Sequence, residues 1–158
     1  MAQSPCVCNT LRMATRAVTQ LYDDVLRPSG LRVTQFSILA AIARLGEAGV
    51  SQLADALAIE QTTMTRSLTL LERDARIERV PHADARVKSM RLTAGGKRAL
   101  AIARPLWAHA QDIVLRELGS TAWADAQRRL GRLRHIAVEG RAASRRRRGQ
   151  KTRRFRRL

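Results

Sequence analysis

Aromatic residues are scarce in this chain, with two Phe, two Trp and one Tyr among 158 residues. Proteins that hold single-stranded nucleic acid stack bases on aromatic rings, so this shortage argues against that class. Cysteine is nearly absent too, and Cys6 and Cys8 alone cannot staple a small secreted fold. The longest apolar run, Phe36 to Ala43, is interrupted by Ser37 and falls short of the roughly 20 residues that span a bilayer. No basic, apolar, small-residue series opens the chain as a secretory signal would, so a cytoplasmic protein without a membrane partner is expected. Missing as well are a phosphate-binding glycine loop, a metal-spaced histidine set and a nucleophile beside its base. Gly95-Gly96 lacks the surrounding fingerprint, and we expect neither an enzyme nor a resident metal or cofactor.

Negative charge is the other shortage. Thirteen acidic residues face 30 basic ones, for a net charge of +17. The excess is uneven: residues 141–158 hold ten basic residues and no acidic one, which leaves +7 on residues 1–140. A moderately basic body with a strongly basic tail favours a polyanionic partner, nucleic acid before membrane.

Apolar spacing of three and four predicts a helix from Cys8 to Arg27, ended by Pro28-Ser29-Gly30. A second helix, Gln35 to Leu45 with Thr34 as its cap, is apolar on most of its surface and should be deeply buried. Ser51 is placed to cap a short helix through Leu57. After a break at Ala58–Glu60, a further helix runs from about Gln61 to Asp74 on a stripe of Met64, Leu68 and Leu71. Two short helices joined by a tight turn form a helix-turn-helix candidate. The period then shortens to that of strands at Ile77–Val80 and Lys88–Leu92, separated by seven turn-like residues, which predicts a hairpin. Thr93 caps a long helix, Ala94 to about Leu118, with a kink or break expected at Pro105. A last helix follows Thr121 from about Ala122 to Val138, and the low-complexity tail from Arg141 should be disordered.

The middle of the chain resembles the MarR family of winged helix-turn-helix transcriptional regulators. The resemblance rests on Gly30-Leu31-Arg32-Val33-Thr34-Gln35-Phe36, Ser51–Leu57, Ile59–Arg66, Leu70–Asp74 and Ile77–Arg79. Its most diagnostic stretch is Asp84-Ala85-Arg86-Val87-Lys88-Ser89-Met90-Arg91-Leu92-Thr93, and it covers residues 8 to about 138. It implies a mainly α fold, with N- and C-terminal dimerisation helices around a winged helix-turn-helix bearing a two-stranded β wing. The expected divisions are 1–30, 31–93, 94–140 and the tail 141–158. The implied function is a homodimeric, sequence-specific regulator, a repressor released by a small aromatic or phenolic effector or by oxidation. Its partner would be double-stranded DNA carrying a pseudo-palindromic operator.

The residues agree with that implication. Gln61, Thr62, Thr63 and Thr65 are short polar side chains that let a helix approach base edges, and Arg66 supplies a longer donor one turn on. Free amides at the helix start would suit a phosphate. Arg86 at the hairpin tip suits a narrow minor groove, with Asp84 to orient an arginine. Lys88, Arg79 and Arg91 are candidates for phosphate contacts. Gln61 is equally readable as a cap.

Two features depart from the family's pattern: Ala75 stands where a glycine usually closes the recognition helix, and the basic tail has no counterpart. Three features stay open. Cys6 and Cys8 read as an unremarkable pair, as a redox sensor or, shared between two copies, as a metal site. Tyr22, Trp107 and His109 read as core or as the lining of an effector pocket. The tail reads as a DNA-affinity arm or as a segment with no selected role, and a rival class is a nonspecific DNA-coating protein dominated by it.

Overall fold

A computed structural model describes residues 5–81 and 89–155, with side chains through residue 141. The chain forms two compact units, one ending at Asp112 and one beginning at Ile113. In order, the elements are α1 (Val7–Leu26), a 3-10 turn (Arg27–Ser29), α2 (Val33–Leu45), β1 (Ala48–Gly49), α3 (Val50–Leu57), α4 (Gln61–Arg73), β2 (Ile77–Val80), β3 (Ser89–Leu92), α5 (Ala94–Leu118) and α6 (Ser120–Phe155). The fold is mainly helical, as the sequence predicts. Among the described residues, no helix is long and apolar enough to cross a membrane.

The core of the first unit gathers around α2, whose Phe36, Ile38, Leu39, Ala41 and Ile42 are all buried. Leu53 and Ala54 of α3 and Met64, Leu68 and Leu71 of α4 join the same cluster, with Ile77 and Met90 from the strands. The i, i+4, i+7 spacing of the α4 stripe buries one face of that helix and leaves the opposite face to solvent.

Helix starts differ from the cap residues expected. The α2 helix begins at Val33, so Thr34 lies inside its first turn. Asp23 of α1 accepts the Val33 amide at 2.8 Å, and Gln35 Oε1 accepts the Arg32 amide at 2.9 Å. Those two side-chain oxygens satisfy the amides of Arg32 and Val33, which have no helical partner at a start placed before Thr34. Ser51 is likewise inside α3, which starts one residue earlier after Gly49.

The wing is a three-stranded antiparallel sheet rather than a two-stranded one, in the order β1-β3-β2. Ala48 and Gly49 pair with Met90 and Ser89, and β2 pairs with β3 from Ile77↔Leu92 to Val80↔Ser89. A strand of two residues between Gly46 and Gly49 is too short to show alternation.

Pro105 does not interrupt α5, which runs continuously through it. Ala101, whose carbonyl loses its helical donor there, is solvent-exposed, so the missing amide leaves no buried acceptor unpaired. The backbone of α6 continues to Phe155 and takes in most of the arginine-rich segment that composition reads as disordered. Arginine, lysine, glutamine and alanine are good helix formers and make up most of the stretch from Arg141 to Phe155, with Ser144, Gly149 and Thr152 the weaker formers among them.

Two alanines occupy left-handed backbone, Ala58 after α3 with φ 53° and Ala75 after α4 with φ 51°. Left-handed geometry costs an L-residue roughly 1–2 kcal/mol, whereas glycine bears mainly the smaller entropic cost of its unfolded state. Ala75→Gly and Ala58→Gly should therefore each raise unfolding free energy by about 0.5–1 kcal/mol, read by urea titration.

Candidate nucleic-acid interface

Helix α4 carries the predicted reading residues. Gln61, Thr62, Thr63, Thr65 and Arg66 are all exposed, while Met64, Leu68 and Leu71 anchor the helix from its buried side. Arg66 makes no hydrogen bond among the described residues and stands free to meet an acceptor. Asp84, Arg86 and Lys88, together with His82, lie outside the described residues.

The N-terminus of α4 is arranged around Glu60, which sequence reasoning missed. Its carboxylate accepts the amides of Thr62 and Thr63 and the hydroxyl of Thr62. Gln61 is therefore not the cap; it is the first helical residue, and its Nε2 donates to Ser51 Oγ at 3.2 Å. The amides expected to receive a phosphate already have a partner in Glu60. An acidic residue directly before a helix start was the available signal. The Thr62 hydroxyl, the two amides and the nearby charge of Arg66 hold the Glu60 carboxyl below its ordinary range. The folded state thus binds that proton less tightly than the unfolded chain. The cap stabilises the fold above the ordinary carboxylate range and is lost as pH falls through the folded pKa.

Two candidate phosphate contacts are already paired. Arg79 meets Glu72 with two bonds, at 2.9 and 3.2 Å, which holds its guanidinium charged still more firmly. Arg91 bonds Glu78 at 2.7 Å across the β2–β3 pair, where the two residues are register partners. Both arginines tie the sheet to itself and to the end of α4.

The base of the wing is clamped to the start of α5. Thr93 Oγ1 donates to the Ala75 carbonyl at 2.6 Å and accepts the Gly96 amide at 3.0 Å, which makes Thr93 the expected cap. The Thr93 amide reaches the Arg76 carbonyl at 3.2 Å, and Arg76 Nη1 donates to the Gly95 carbonyl at 3.2 Å. Through this clamp the turn at Ala75, left-handed without a glycine, sets where β2 departs.

The aromatic trio is spread over two separate packing environments and the surface. Trp107 stacks on Phe36 with ring centroids 5.7 Å apart, and Tyr22 is buried with its hydroxyl donating to Gln111 Oε1, burial pushing its phenol pKa up. His109 is exposed. A cleft of about 570 Å³ lies among Ala43, Glu47, Arg91, Lys97, Leu100 and Arg104. Cys6 and Cys8 are exposed free thiols at the start of α1, and the described residues contain no cluster of three or more metal-ligating side chains.

A helix-turn-helix with an exposed polar face on its second helix, followed by a small antiparallel sheet, defines a winged helix-turn-helix protein. The MarR family's sequence pattern matches residues 31–88. The transcriptional regulator MosR of M. tuberculosis, in a crystal structure with DNA, is 42% identical, with a TM-score of 0.76 over 84% of this chain and 96% of that one. A second MosR crystal structure is 38% identical, with a TM-score of 0.74 over 85% and 96%. A cysteine-to-serine variant of MarR from E. coli, complexed with operator DNA, shares the fold at 21% identity and a TM-score of 0.73, over 80% and 92%. No match is found among curated proteins. The chain belongs to the MarR family.

Proposed function

We propose that this protein is a sequence-specific, double-stranded-DNA-binding transcriptional regulator that acts as a homodimer. The observation that carries the reading is the α4 face itself: Gln61, Thr62, Thr63, Thr65 and Arg66 exposed on a helix anchored by buried Met64, Leu68 and Leu71. Such a face suits the major groove, and the similarity to MosR, whose crystal structure contains DNA, supports it. Asp84, Arg86 and Lys88 complete the proposed interface as the wing. Exposed apolar side chains support a dimer, among them Val7, Met13 and Val18 on α1 and Leu130, Leu133 and Ile136 on α6. Two copies would read half-sites about 10 base pairs apart.

Repression released by an effector is the regulatory reading. The cleft beside Arg91, Lys97 and Arg104 is within the size range of small-molecule sites, and the exposed Cys6 and Cys8 are open to oxidants. Either signal must discriminate between the DNA-bound and free states to act.

Arg66→Ala tests the interface. It should cost about 1–3 kcal/mol of binding to the preferred duplex and relax sequence preference, with scrambled DNA little affected. Competition between the promoter beside its own gene and a scrambled duplex reads this directly, and an unchanged preference would remove α4 from the reading role. The rival reading, a nonspecific DNA-coating protein, is favoured by one observation, the ten basic residues of 141–158.

A further inference from the structure

We infer that Glu60 sets the hydrogen-bond polarity of Thr62, so that the start of the reading helix selects bases that present an exocyclic amino group to the major groove, adenine or cytosine. The inference rests on the DNA-binding reading above. A threonine hydroxyl has one proton and two lone pairs, and toward a base edge it serves as donor or acceptor according to where that proton points. Here the proton of Thr62 is committed, because the hydroxyl donates to Glu60 Oε2. Thr65 is committed too, donating to the Gln61 carbonyl at 2.8 Å. Gln61 gives one of its two amide protons to Ser51 Oγ and keeps both a donor and an acceptor, so it carries no fixed polarity. Two neighbouring hydroxyls at the exposed start of α4, those of Thr62 and Thr65, therefore offer lone pairs rather than protons.

In the major groove the donors are the N4 amino group of cytosine and the N6 amino group of adenine; guanine O6 and N7 and thymine O4 are acceptors. A lone-pair surface is matched to cytosine or adenine and mismatched to guanine or thymine on the strand it faces. Arg66, a donor without any acceptor, has the opposite preference and is matched to guanine. Glu60 also resists a change of this pattern. Its carboxylate is kept ionised by Thr62, the two amides and Arg66, so it accepts and does not donate across the neutral range. Glu60 is thus a positioning residue that acts through Thr62.

Selection from a randomised duplex library, with the full-length protein and its variants, tests this. The wild type should prefer adenine or cytosine at one position of each half-site by roughly fivefold or more. Thr62→Val should erase that preference and leave the other positions intact. Thr62→Ser should retain it. Glu60→Ala, which frees the hydroxyl proton, should admit guanine or thymine at the same position, whereas Glu60→Gln, whose amide oxygen still accepts, should not. Thr62→Val leaves the cap carboxylate in place, so its result stands even if Glu60→Ala loosens the helix. The inference is overturned if the position lost with Thr62→Val is one where the wild type chose guanine or thymine, or if folded Glu60→Ala leaves the selected sequence unchanged. Enrichment of no sequence by the wild type overturns the DNA-reading proposal itself, a result distinct from either.

Discussion

Gly96→Ala should destabilise the protein by about 3 kcal/mol, lowering its melting temperature by roughly 6–12 °C. A Cβ at this position would lie 1.9 Å from the Arg76 carbonyl oxygen and 2.9 Å from its carbonyl carbon. Both are backbone atoms, so no rotamer change relieves the clash. The two segments are also tied by the Thr93 amide on that same Arg76 oxygen and by Arg76 on the Gly95 carbonyl, so separating them breaks hydrogen bonds as well. Alanine is the better helix former by about 1 kcal/mol, and that gain is too small to offset the collision. Gly131→Ala in α6 is the control, since nothing lies within 4 Å of its Cβ position, and it should leave stability unchanged or raise it slightly. Thermal unfolding of the two variants side by side separates a close backbone approach from an ordinary helical glycine. A Gly96→Ala variant as stable as the wild type would mean that the clamp between Ala75 and Gly96 can open at no cost. Because that clamp sets the departure of β2, the destabilised variant should also lose DNA affinity at temperatures where it remains folded.

The wing base shows where sequence reading reaches and where it stops. Thr93 was legible as a cap because a hydroxyl residue directly preceded a helical pattern, and Ala75 was legible as an unusual helix closer because a left-handed residue is ordinarily glycine. That Gly96 must be glycine was not legible, because the reason is a contact with a turn 20 residues away. The same limit applies at the reading helix. Met64, Leu68 and Leu71 told which way α4 faces, since helical period is a local property. Glu60 escaped notice because glutamate is not among the favoured caps, and its role depends on a hydroxyl two residues on. Arg79 and Arg91 read as free cations in the sequence, and only strand register and the proximity of Glu72 reveal that each is paired. β1 escaped for a related reason: its two residues are a strand only because β3 lies beside them.

Removing residues 141–158 should have the largest effect on DNA affinity of any change considered. The backbone of α6 from Arg141 to Phe155 is helical and spans about 21 Å at 1.5 Å per residue. Phosphates along one DNA strand are spaced about 3.4 Å, so a helix of that length runs beside roughly six of them. Eight basic residues lie between Arg141 and Phe155, more than enough to neutralise that number, and none of the residues there is acidic. Each phosphate neutralised contributes about 0.9 to the slope of log affinity against log salt, so truncation should reduce the slope by about 5 per chain. At low salt this corresponds to a loss of about a thousandfold or more, shared equally by operator and scrambled duplexes. The ratio between those duplexes should survive, because counterion release carries no sequence information, whereas the polar face of α4 does. Titrations at two salt concentrations, with and without the segment, measure both quantities at once. An unchanged slope would show that the arginine-rich helix does not meet DNA. A slope that falls together with the operator preference would assign discrimination to the tail and favour the coating reading over the regulator.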